Sequence, residues 1–173
     1  MRPLKTEKRR EMNKICDGLC PCDSKKNYLS CCEPFITGKQ SCKTPEALMR
    51  SRYSAYTLAN IDYIKKTMRG NALAGFQEQD AKRWAKRVNW IKLKVLESVI
   101  ESTGRGYVEF EASFVDGSHL KSIHEKSEFI FEKGRWYYVG GKHLPTADIE
   151  QMISRTMNCP CGSNRKFKNC HGT

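Results

Sequence analysis

The chain has 173 residues, 39% hydrophobic and 29% charged, with a formal net charge of +12 and nine cysteines. That length suits one ordinary domain with small appendages, seventeen aromatic residues argue against disorder, and no run approaches the ~18 apolar residues of a membrane-spanning helix. The opening MRPLKTEKRREMNK has no apolar stretch of the secretory kind, so a cytoplasmic chain with no membrane insertion is expected. In a reducing compartment, dense and odd-numbered cysteine points to metal or redox chemistry rather than to a disulfide frame.

Residues 1–15 read as a basic tail, the first fourteen carrying six bases against two acids. Residues 16–43 contain the first cysteine-rich segment, CPCDSKKNYLSCC (20–32). Residues 44–146 read as an α+β domain. Thr44-Pro45-Glu46 opens a helix with a capping hydroxyl, a proline at the first turn and an acid at the positive end. Leu48, Ala55 and Ala59 fall on one stripe, with Met49, Tyr53, Tyr56 and Tyr63 beside them. Asn60 marks a break and Asp62 begins a short second helix. A third is predicted from Ala72 to Val88.

The period then changes from 3.6 to 2. Ile91, Leu93 and Val95 alternate with polar residues, as do Val108, Phe110, Ala112 and Phe114. Asp116-Gly117 is a hairpin signal, residues 119–133 form a long strand, and Gly134 turns it back through Trp136 to Val139. On the long strand Ile123, Phe129 and Phe131 share a face with Glu125 and Ser127. A carboxylate there is costly unless paired. Arg52, on the helical stripe, is the expected partner, in a structural ion pair or hydrogen-bond network that locks helix to sheet, or in a ligand pocket where Glu125 acts as a base or anchor. His124 and His119 are expected at the surface.

Residues 147–154 read as a linker, and residues 155–173 hold the second cysteine-rich segment, CPCGSNRKFKNCH (159–171). The two segments share one skeleton without a gap. Cys20, Cys22, Cys31 and Cys32 align with Cys159, Cys161, Cys170 and His171, while Ser24 aligns with Ser163 and Tyr28 with Phe167. Zinc takes four thiolate or imidazole ligands in a tetrahedron, so the spacing predicts two zinc ions per chain. Redox thiols or a disulfide are the competing reading. Adjacent Cys31 and Cys32 pair badly, and exchanging a cysteine for His171 suits a metal and not a disulfide. Cys16 and Cys42 lie outside the skeleton and read as plain thiols, although Cys16 could compete as a ligand.

CPCGSNRKFKNCH resembles the SEC-C motif, the zinc knuckle at the carboxyl end of the preprotein translocase motor. The resemblance implies a docking tag for a chaperone or for the ribosome. Asp23 stands where that motif has glycine. A SEC-C-like segment at each end, around LMRSRYSAY (48–56), looks like the YchJ family of bacterial proteins. The middle domain, ending FIFEKGRWYYVGG, is similar to the nuclear transport factor 2-like (NTF2-like) cone, a curved antiparallel sheet wrapped on helices.

Charge is unevenly spread: residues 95–150 carry ten acids and six bases, whereas residues 151–173 carry four bases and no acid. No phosphate loop, nucleophile elbow or open metal set is apparent, and no catalytic residue is assigned. The expected function is a non-enzymatic, zinc-stabilised adaptor. Lys25, Lys26, Arg165, Lys166 and Lys168 would meet an acidic protein surface or the ribosome. A small-molecule binder or enzyme using the cone pocket is the alternative, and direct binding of RNA or DNA through the basic flanks is the third reading.

Overall fold

A computed structural model describes residues 18–146 and 151–172. The basic tail, Cys16 and positions 147–150 of the expected linker lie outside the described residues. The helices are α1 (Glu33–Ile36), α2 (Pro45–Thr57), α3 (Ile61–Lys66), α4 (Gly70–Ala74) and α5 (Glu78–Arg87). The strands are β1 (Asn89–Ile100), β2 (Arg105–Asp116), β3 (His119–Glu132), β4 (Arg135–His143) and β5 (Gln151–Met152). All pairings are antiparallel, in the order β1-β2-β3-β4, and β5 joins the start of β3. Helices first and an antiparallel sheet afterwards make the α+β class expected. No helix among the described residues is long and apolar enough to cross a membrane.

The Thr44 cap works as the sequence implies, whereas Asn60, read as a break before Asp62, is itself the cap of α3. Thr44 accepts a hydrogen bond from the Ala47 amide at the start of α2, and Asn60 accepts one from Tyr63 at the start of α3. Ala59 is not on the helical stripe. It follows the end of α2 with a left-handed φ of 53°. The helix predicted over 72–88 is two helices, because Gly75 ends α4 as its C-cap and Gln77 is extended before α5. Glycine inside a helix costs about 1 kcal/mol relative to alanine, so a break there loses little.

The core lies between α2 and one face of the sheet. Leu48, Met49, Tyr53 and Ala55 pack against Trp90, Leu93, Val108, Phe110, Phe114 and Phe129. Tyr53, Tyr56, Trp84, Trp90 and Phe114 form an aromatic cluster with ring centroids 4.9–5.9 Å apart. Each such side chain, fully buried, contributes about 1.5–3 kcal/mol. Gly106 lets α2 approach the sheet, since a Cβ there would stand 2.4 Å from Pro45 Cγ. Register shifts between Trp90 and Lys92, Val95 and Glu97, and Glu128 and Phe129 interrupt the ladders. Such bulges bend and twist a sheet.

The first of these shifts changes the reading of β1. Trp90, Leu93 and Val95 face the helices, whereas Ile91 belongs to a second small core with Val115, Ile153, Cys159, Phe167 and Cys170. The extra residue at the bulge breaks the simple alternation of Ile91, Leu93 and Val95. Phe131, expected on the inner face, is 47% exposed and packs on Trp136 at 5.2 Å. The range read as a linker includes β5 and the buried Ile153, whose amide donates to the Ser118 carbonyl.

Candidate metal centres

The two cysteine-rich segments fold by the same local hydrogen bonds. In the first, the Cys20 amide donates to the Lys26 carbonyl at 2.8 Å, and the Asp23 amide to Cys20 at 3.2 Å. In the second, Cys159 donates to Arg165 and Gly162 to Cys159 at the same two distances. A bridge pairs Leu19 with Asn27 and another pairs Asn158 with Lys166. A single 3-10 turn then follows in each, Tyr28–Ser30 and Phe167–Asn169, and delivers Cys31 or Cys170. Asp23 and Gly162 both have positive φ, 58° and 82°. The motif's glycine position therefore needs the left-handed region, and aspartate is among the few residues that enter it at modest cost.

These turns bring four ligand atoms together twice. Cys20, Cys22, Cys31 and Cys32 form one set, and Cys159, Cys161, Cys170 and His171 the other, with the ligand atoms of each within 4.8 Å of one another. Cys22 and Cys31 sulfurs are 3.7 Å apart, Cys31 and Cys32 3.9 Å, and Cys161 and Cys170 3.6 Å. A disulfide needs about 2.05 Å. A tetrahedron with bonds of about 2.3 Å has edges of about 3.8 Å. The spacing fits a shared metal ion. His171 presents Nδ1, 3.3 Å from Cys159 Sγ and 3.2 Å from Cys170 Sγ, so Nδ1 is the nitrogen placed to ligate.

The surroundings favour ligation. Ser24 Oγ lies 3.2 Å from Cys31 Sγ and Ser163 Oγ 3.4 Å from Cys170 Sγ, matching hydroxyls beside the equivalent sulfur of each set. Hydrogen bonding with Cys22 pushes Cys20 up to about 12, and the same bond from Cys20 draws Cys22 down. Hydrogen bonds with Cys20 and Cys22, together with burial, push Cys32 up. Burial pushes Cys159 up to about 12, whereas at Cys161 burial is outweighed by hydrogen bonds from Ser163 and Cys159, which lower it. Burial, with Arg165 nearby, lowers His171 and keeps the imidazole neutral, the form that binds metal. In each set one thiol is thus drawn down while a neighbour is pushed up, and a cation can replace the protons that ligation displaces.

The other residues singled out by sequence fare differently. Arg52 is buried but does not pair directly with Glu125. It donates to the Ile64 carbonyl at 2.8 Å and to Thr67 Oγ1 at 2.7 Å, at the carbonyl end of α3, where a cation is favoured. Tyr138 stands between the two. Its ring lies 4.6 Å from the guanidinium and its hydroxyl donates to Glu125 at 3.2 Å. Ser127 donates to the same carboxylate oxygen at 2.6 Å. Burial pushes Tyr138 well above the usual phenol range, so it stays a donor.

His124 is a paired histidine, with Nε2 2.8 Å from Glu109 and Nδ1 3.3 Å from the Pro145 carbonyl. Cys42 lies beside Ser51 and Tyr63, and burial pushes its thiol up. Lys25, Lys26, Arg165, Lys166 and Lys168 are all exposed. Lys25 pairs with Asp23, and Lys166 donates to Asn158 at 3.1 Å.

Sequence reasoning also missed how close the two knuckles lie. Both border one cleft of about 350 Å³ whose floor includes Tyr53 and Trp90. The signal was faint: a hydrophobic Ile153 in a polar stretch, which anchors the second knuckle on Ile91 and Val115.

Comparison with known proteins agrees with this architecture. Residues 44–141 match the YchJ middle NTF2-like domain, and residues 155–173 match the SEC-C motif. A UPF0225 protein of Serratia proteamaculans is 39% identical over 157 residues, covering 89% of this chain and 97% of its own. A second, from Geobacter sulfurreducens, is 38% identical over 159 residues, covering 89% and 98%. Among solved structures, a SEC-C motif containing protein of Rhodopseudomonas palustris superposes with a TM-score of 0.68 at 38% identity, over 73% of this chain and 99% of that one. One from Psychrobacter arcticus gives 0.63 at 29% identity, over 89% and 95%. With a middle domain, a terminal motif and full-length relatives all in agreement, the chain belongs to the YchJ-like UPF0225 family.

Proposed function

We propose that this is a cytoplasmic, non-enzymatic adaptor that holds two structural zinc ions and docks an acidic partner through its knuckles. The observation that carries the reading is the pair of complete four-ligand sets, each ringed by exposed cations. A closed shell of four thiolates, or of three thiolates and one imidazole, leaves no coordination position for substrate, which suits a structural ion. Zinc is favoured over harder cations because seven of the eight ligands are sulfur. Lys25 and Lys26 on one knuckle, and Arg165, Lys166 and Lys168 on the other, supply the charge. Folding around metal fixes these side chains, which lowers the ordering entropy lost on binding.

By resemblance to the translocase tag, the partner is a chaperone or an acidic ribosomal surface. The inner network supports a structural role rather than a ligand pocket, because Ser127 and Tyr138 already engage the Glu125 carboxylate. The test is capture from lysate by the full chain and by a chain lacking residues 155–173. The full chain should retain a partner, in a manner weakened by salt and by chelator, and the truncated chain should not. Equal capture by both would move the functional surface to the cone.

A further inference from the structure

The cleft between the knuckles carries more than proximity. Pro21 and Lys25 border it from one knuckle, Ser163 and Arg165 from the other, and Trp90 and Lys92 from the sheet. At about 350 Å³ it falls in the range of ligand sites. Three features describe what would fit. Lys25, Lys92 and Arg165 are exposed cations against one lining carboxylate, Asp23, which pairs with Lys25, and the sulfurs of both metal sets are largely buried, so an incoming group meets net positive charge. The strand that lines it, β1, has β2 on one side and is otherwise the edge of the sheet. An edge strand offers backbone donors and acceptors to an added strand. Finally, the nine-tenths buried Trp90 has the one buried side-chain polar atom without a partner among the described residues, its indole N–H.

We infer that this cleft receives an extended acidic segment of a partner protein, laid along the first residues of β1 between the two knuckles. The inference rests on the docking function proposed above and makes it specific. The edge strand selects a peptide backbone and the three cations select acidic side chains. Lys82 on α5, exposed and away from the cleft, has no part in it.

The test uses the zinc-loaded full chain and a short oligo-glutamate peptide, with tryptophan emission as the readout. Lys92→Glu should weaken binding about tenfold or more, a loss of about 1.4 kcal/mol at least. Lys82→Glu should leave it within about twofold, since a charge outside the contact acts only through screened, long-range attraction. Zinc content and unfolding temperature should be unchanged in both. Polyphosphate, which has the charge without the backbone, should compete poorly. Binding weakened no more by Lys92→Glu than by Lys82→Glu would keep the docking function and overturn the cleft. Equal competition by polyphosphate, or tighter Lys92-dependent binding of single-stranded RNA, would overturn the peptide. No binding of peptide or RNA by the zinc-loaded chain would overturn the docking function itself.

Discussion

The two knuckles share a backbone but not a setting. The amino-terminal one is part of the main core: Cys20, Cys22 and Cys32 are 4%, 0% and 1% exposed and cluster with α2 and β1. Arg50 of α2 donates to the Cys22 carbonyl at 2.9 Å, and Ser54 lies 3.5 Å from Cys20 Sγ. The carboxyl-terminal knuckle has its own small core, Phe167 and Ile153 on Ile91 and Val115. One motif is thus built into the domain and the other is laid onto the sheet. A metal site's share in folding depends on what its ligands hold together, so equal ligand geometry need not mean equal consequence.

The largest break in that comparison should come from removing one ligand of each set. Cys22→Ala should destabilise the whole domain by at least about 4 kcal/mol, in the range that marks loss of a metal or of core packing. Cys161→Ala should cost the domain about 2 kcal/mol, because mainly Ile91 and Val115 lose cover. Thermal unfolding of the two variants, each with its zinc content measured, checks the order. Similar losses would mean the two settings are equivalent.

A smaller effect sharpens the comparison at the shared turn. Gly162 has φ +82° with nothing within 4 Å of an added Cβ, so Gly162→Ala should cost about 1–2 kcal/mol through backbone conformation alone. Asp23→Gly should relieve that strain in the first knuckle and change stability by under about 1 kcal/mol, since it also gives up the Lys25 pair. Chemical unfolding midpoints would show both. A costless Gly162→Ala would remove the reason offered for the motif's glycine.

The smallest effect concerns the chain leading to the second knuckle. The Leu144 amide donates to the His124 carbonyl, and the His124 ring reaches Glu109 and the Pro145 carbonyl. Hydrogen bonding to Glu109 raises the histidine above its ordinary 6.5. A raised folded value means that this contribution is fully present below pH 6.5 and is lost as pH rises through the folded value. His124→Gln should therefore flatten a slight fall in stability above pH 6.5, read by unfolding across that window. An unchanged pH profile would show that the ring does not tether the segment.

Much of this arrangement was legible in the residues. Both ligand sets could be read from spacing, because C-x-C and the adjacent pair recur and His171 replaces a cysteine. The start of α2 followed from Thr44, whose side chain acts locally. Features made by tertiary pairing were not legible. The shift after Trp90 sends Ile91 to the opposite face, and no local periodicity announces where a ladder slips. The partner of Arg52 was misjudged for the same reason. Helix and strand periodicity put it on a face with Glu125, but the α3 carbonyl end and the Tyr138 ring are nearer claims on the guanidinium. The cleft exists only because two ends of the chain meet at the start of β1.

Native mass spectrometry during chelator titration tests the central claim most directly. A chain purified without added metal should carry two zinc ions. It should lose one first, leaving a folded one-zinc species whose remaining ion protects Cys20, Cys22, Cys31 and Cys32 from alkylation while Cys159, Cys161 and Cys170 react. A chain with no zinc, or one that releases both ions together as the domain unfolds, would contradict the account.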